Sequence, residues 1–181
     1  MDAFSTPVSV QSVEVPLADV LASNCDILYA YWNDLRGDRF APRWDEFHLI
    51  ELPAPLIPFL YVVDVLHDPF DLRFRFWGTG LTEVFKRDHT GQSLSNTDLG
   101  IISEERRAKI MDDNRAVVDR REPFPFLWDT RTAGRSRMAA PAIRLPLSDD
   151  GEAVNKIICG FDFTDKHYGW TRLLEPSRPM P

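Results

Sequence analysis

Two arginines in an alternating stretch are the first candidates for ligand chemistry. In Leu72-Arg73-Phe74-Arg75-Phe76-Trp77, a strand period puts Arg73, Arg75 and Trp77 on one face and Leu72, Phe74 and Phe76 on the other. Arg73 reads as a surface residue paired with an acid. Arg75 stands before the turn Gly78-Thr79-Gly80, and its guanidinium fork suits either the backbone of that turn or a carboxylate ligand. Asn114 is the other polar candidate. It shares an apolar helical face with Ile110, Met111, Val117 and Val118. A buried amide there needs a partner, which is either a backbone carbonyl or a ligand. Met111, Phe126, Trp128, Met138 and Cys159 complete an apolar set that reads as core or as cavity lining.

Other chemistries find little support. No G-x-S-x-G, H-E-x-x-H or phosphate-loop pattern occurs, and Glu83 stands where a dinucleotide fingerprint needs its third glycine. His67-Asp68 and Asp88-His89 are adjacent in sequence, which does not by itself build an acid–base pair. Haem needs a His, Met or Cys facing an apolar pocket. His48, His67, His89 and His167 read as turn, loop or surface positions. Cys25 and Cys159 are too few and too far apart for a disulfide framework or a zinc site. No catalysis is therefore expected, and the sequence carries no haem, flavin or metal signature, which leaves the cofactor open.

Composition narrows the class further. The 181 residues include 12 Phe, 5 Trp and 4 Tyr, enough to fill a core, and the net charge of −7 argues against a nucleic-acid binder. No apolar run approaches the ~20 residues of a membrane helix. The first residues lack a basic region followed by an apolar one, so a reduced cytoplasmic setting is expected.

The elements that must position these residues follow from spacing. Residues 1–16 have no period and read as a flexible arm. Pro16 opens a helix, with Leu17, Val20, Leu21, Leu28, Tyr31, Trp32 and Leu35 at helical spacing and Gly37 as its stop. Leu21, Leu28 and Leu35 form a short heptad seam, which either packs on its own domain or meets a second copy. Four prolines between 36 and 58 forbid a long helix. Strands are expected at 59–65, 72–77, 124–128, 138–147 and 154–163, with a turn at Ser148-Asp149-Asp150-Gly151. A short helix follows Gly80, and a long one runs from Ser103 until Pro123. This pattern predicts one α+β domain over 17–164, with a five-stranded antiparallel sheet, helices on one face and a cavity between. A tail occupies 165–181.

That element order resembles the PAS domain. Tyr31-Trp32-Asn33-Asp34-Leu35-Arg36-Gly37, with Arg39, Pro42, Arg43 and Phe47, is similar to the opening motif of a bacterial PAS subgroup of mostly stand-alone proteins. Phe74 to Leu81 resembles that subgroup's second strand and Gly-Thr turn, Asp88 to Leu94 its D-x-T-G-x-x-L turn, and Leu145 to Gly151 its closing hairpin. The resemblance implies a sheet of order 2-1-5-4-3 and a sensory or protein-interaction role, and it implies no particular ligand. It also gives no photoactive flavin site, because Asn24-Cys25 is followed by Asp26-Ile27-Leu28 rather than by Arg-Phe-Leu-Gln. The expected function is a regulatory module that binds a signalling partner under the control of a small ligand. It is expected to form a homodimer through Leu21, Leu28, Tyr31, Trp32 and Leu35, with Trp77 beneath that contact. The alternative is an NTF2-like cone acting as a small enzyme or carrier.

Overall fold

The computed structural model describes residues 10–96, 104–130 and 138–163. Its centre is a six-stranded antiparallel sheet. The strands are β1 (Val10–Glu14), β2 (Leu60–His67), β3 (Phe70–Trp77), β4 (Phe124–Thr130), β5 (Met138–Leu147) and β6 (Lys156–Phe161). Their order is β1-β4-β5-β6-β2-β3. Six strands replace the expected five because part of the supposed N-terminal arm pairs with β4, from Val10 opposite Thr130 to Glu14 opposite Phe126. That pairing occupies backbone groups that would leave β4 as an open edge. Residues 1–9, the rest of the expected arm, lie outside the described residues, as does the tail at 165–181.

The single N-terminal helix is also corrected. It is two pieces, α1 (Leu17–Val20) and α2 (Cys25–Arg36). Ser23 breaks the run by donating its hydroxyl to the Val20 carbonyl at 2.6 Å and accepting from the Cys25 N–H at 3.2 Å. A short polar side chain that satisfies local backbone groups in this way competes with helix propagation. Leu21 therefore sits in the turn and not in a seam with Leu28 and Leu35.

Helices cover both faces of the sheet and not one. On the first face, α3 (Thr79–Phe85) and α4 (Glu104–Arg120) pack over Tyr61, Val63, Phe74, Phe126, Trp128, Cys159 and Phe161. On the second, α2 places Leu28 and Trp32 against Val62, Ile143, Leu145 and Ile158. Both faces of β5 and β6 are therefore apolar, which is why those strands read as continuous hydrophobic runs. Gly160 lets α2 approach closely: a Cβ at that position would meet Leu28 Cδ2 at 2.6 Å.

A bulge changes the faces of β3. The register passes from Val62 opposite Phe76 to Val63 opposite Phe74, leaving Arg75 as the extra residue. Trp77 consequently joins Phe74 on the α3/α4 side, with ring centroids 5.2 Å apart, and Phe76 turns to the α2 side. Strict alternation assigned both aromatics to the opposite faces.

Candidate functional site

Between the sheet and α3/α4 lies a cavity. Tyr61 of β2 and Phe74 and Trp77 of β3 form one wall, Phe85 of α3 and Ile110 of α4 form the roof, and Trp128, Arg144 and Phe161 close the far side. His89 and Leu94, from the segment after α3, also line it. Its free volume is about 40 Å³, a few times the ~10–15 Å³ that one water requires. Aromatic rings fill most of what the helices enclose. Tyr61 stacks on Trp77 at 5.9 Å, and the Trp128 ring meets Phe85 at 5.7 Å and Phe161 at 5.8 Å in edge contacts.

Arg144 is the unexpected member. It lies in the interior of β5, alternating with Ile143 and Leu145, so the strand period alone sends it to the cavity side. Only 1% of it is exposed. Its guanidinium lies 3.9 Å over the Phe126 ring, and Nη1 is 3.6 Å from Asp113 Oδ2 on α4. Burial works against its charge, and the neighbouring Tyr61, Cys159 and Asp113 groups more than offset that. Among the described residues, Nε and Nη1 of Arg144 have no hydrogen-bond acceptor. Asp113 is buried too and also receives the Lys109 ammonium. A second buried cation, Arg106, lies 3.9 Å over the Trp128 ring, and burial lowers its pKa to about 9.

The residues singled out by sequence are dispersed. Trp128 lines the cavity. Phe126 lies behind it as the ring beneath Arg144. Met111 and Cys159 pack in the same core without lining the cavity. Asn114 is fully buried and does not line the cavity; its Nδ2 donates to the Ile110 carbonyl at 2.8 Å, while its Oδ1 has no hydrogen-bond partner among the described residues. The Met138 side chain lies outside the described residues. Arg75 is corrected as a ligand residue: it is exposed on the other face and holds Asp64 through Nε at 2.8 Å and Nη2 at 3.1 Å. Arg73 approaches the same carboxylate at 3.6 Å. His89 is buried rather than at the surface and meets the Trp77 ring edge-on at 4.7 Å.

Of the expected interface residues, Leu28, Trp32 and Trp77 are corrected, because the chain's own cores take them. Leu28 and Trp32 are each 1% exposed and belong to the chain's own second core. Tyr31 packs its ring on Phe47 at 4.9 Å, and its hydroxyl donates to Glu51 Oε2 at 2.9 Å. Leu21 and Leu35 are half-buried, and Trp77 lies in the cavity wall.

Arg144 and Tyr61 were overlooked in sequence, although one charge inside Met138–Leu147 was a visible signal. A charge in an otherwise apolar strand is rare enough to imply a partner. The cysteines are chemically quiet. Burial pushes both thiols up to about 12. Neither is expected to react with a thiol-labelling reagent at about pH 8 in the folded protein, and both are expected to react in guanidinium. Rapid labelling of native protein would contradict this placement.

Among the described residues, no group of three His, Cys, Asp or Glu is placed to hold a metal, and no helix is long and apolar enough to cross a membrane. A family model described as a PAS domain matches residues 21–160. No curated protein and no solved structure matches the chain significantly.

Proposed function

The chain belongs to the PAS domain family, and from that premise we propose that it is a regulatory module whose partner binding is controlled by a small ligand in the cavity. PAS domains are typically non-catalytic sensory modules that mediate protein interactions. The NTF2-like alternative gives way to the family match.

One observation supports ligand control above the others. The cavity and α2 sit on opposite faces of the same strands. Cys159 belongs to the core on the cavity side, while Ile158 and Gly160 meet α2. A ligand that pushes the cavity rings aside presses on β6 and β2, and the close seat of Leu28 on Gly160 passes a strand shift to α2. Packed interiors transmit small displacements because they have no slack. The buried side of α2 is occupied by its own domain, so a partner or a second copy would meet its outer side, where Ile27 is 39% exposed, and the neighbouring loop, where Ile50 is 89% exposed.

Native mass spectrometry of the full chain, purified gently from its own host, tests this. The expected spectrum shows a small mass retained without a covalent bond and lost under denaturing conditions. It also shows a different oligomeric distribution once that mass is stripped. A bare chain with the same distribution before and after stripping rejects ligand control.

A further inference from the structure

We propose that the cavity ligand is a small monocarboxylate, of acetate to propionate size, held at its charged end by Arg144. This rests on reading the cavity as a ligand site and names the chemistry that site selects.

The wall carries more donors than acceptors: Tyr61 and His89 can do either, and the other polar groups only donate. Among the described residues, Trp77 Nε1, Trp128 Nε1 and both Nε and Nη1 of Arg144 are buried without an acceptor, and all three residues line the cavity. Indole and guanidinium nitrogens only donate. What completes them must accept. Water accepts too, but it is neutral and leaves the buried Arg144 charge unmatched. A carboxylate only accepts, and its two oxygens match a guanidinium fork.

Charge points the same way. Asp113 is the buried carboxylate paired with Arg144, at a separation of 3.6 Å from Nη1 that is too long for a hydrogen bond. It is shared with Lys109. Arg144 thus shares its one carboxylate with a second cation, and an anion in the cavity supplies the missing charge. Phosphate and sulfate fit less well, because a tetrahedral anion has no apolar end to place against Phe74, Phe85 and Phe161. The free volume of about 40 Å³ limits the apolar end to a short chain.

The test compares propionate with propionamide, which has the same shape without the charge, on the full wild-type chain. Calorimetric titration, tryptophan fluorescence and the thermal midpoint give the readouts. Propionate is expected to bind, to alter the emission of Trp77 and Trp128 and to raise the midpoint with concentration. Propionamide is expected to bind about tenfold more weakly or worse. Arg144→Met should remove the preference. Where that variant does not fold, the same loss is read in Arg144→Met/Asp113→Asn, which removes both charges of the pair. Equal binding of the two ligands overturns the carboxylate assignment and leaves the cavity as a ligand site. A neutral molecule retained in the native spectrum, with no propionate binding, does the same. No binding of either ligand together with a bare native spectrum overturns both the assignment and the reading beneath it.

Discussion

Replacing Trp32 with alanine is expected to lower folding stability by about 3–5 kcal/mol. The indole is 1% exposed, and its N–H donates to the Pro146 carbonyl at 2.7 Å. Tyr29 lies 5.9 Å away, and the Arg36 guanidinium is 5.3 Å from the ring centroid. Truncation removes the largest apolar side chain of the α2 core and leaves the Pro146 carbonyl without its partner. Domains of this size are stable by only about 5–15 kcal/mol in total, so the variant should unfold about 10 °C earlier. Urea unfolding followed by circular dichroism, with native mass measured alongside, gives the result. Ile27→Ser, on the outer side of the same helix, serves as control and should shift stability by about 0.5 kcal/mol or less. If Trp32 were an interface residue, Trp32→Ala would change the oligomer and spare the midpoint. That outcome would refute its placement in the chain's own core.

The parts of this fold that were legible in sequence are those where one local rule decides. Phe59 to Val65 and the stretch ending at Trp77 announced strands through β-branched and aromatic residues. The Ser148–Gly151 turn was legible because its chemistry is local. Asp150 accepts from the Glu152 and Ala153 N–H groups at 2.8 and 2.9 Å, which draws its pKa down to about 2, and Gly151 takes a φ of 75°. The apolar spacing within 104–120 located α4. What failed was what a distant partner decides. Val10–Glu14 has too few apolar residues to show a period, and becomes a strand because β4 offers an edge. The heptad of Leu21, Leu28 and Leu35 ignored Ser23, whose hydroxyl ends α1. The β3 bulge exchanges the faces of Phe76 and Trp77 with no glycine to mark it, and it separated Trp77 from the face of Arg73 and Arg75. The cavity residues come from strands far apart in sequence, so no spacing rule could gather Tyr61, Trp77, Trp128 and Arg144. Arg144 alone had a local signal, a charge between Ile143 and Leu145.

Arg144→Met is expected to lower stability by about 3–5 kcal/mol, because it leaves Asp113 buried with only the half-exposed Lys109 to balance it. Arg144→Met/Asp113→Asn should recover at least half of that loss. The methionine chain fills the path of the arginine over the Phe126 ring, and neither charge of the pair remains. Chemical denaturation of the two single variants and the double gives a coupling of about 1–3 kcal/mol. A double variant as unstable as the sum of the singles would show that the two residues act independently, and the charge argument for the cavity would fail with it. The physical content of this cycle is the difference between stability and binding. A buried ion pair can often be replaced by apolar groups with little loss of stability, so folding alone gives weak reason for an arginine in β5. Its reach into a cavity with unpaired donors gives another. The double variant separates the two, since it should regain the fold and not the preference for propionate over propionamide.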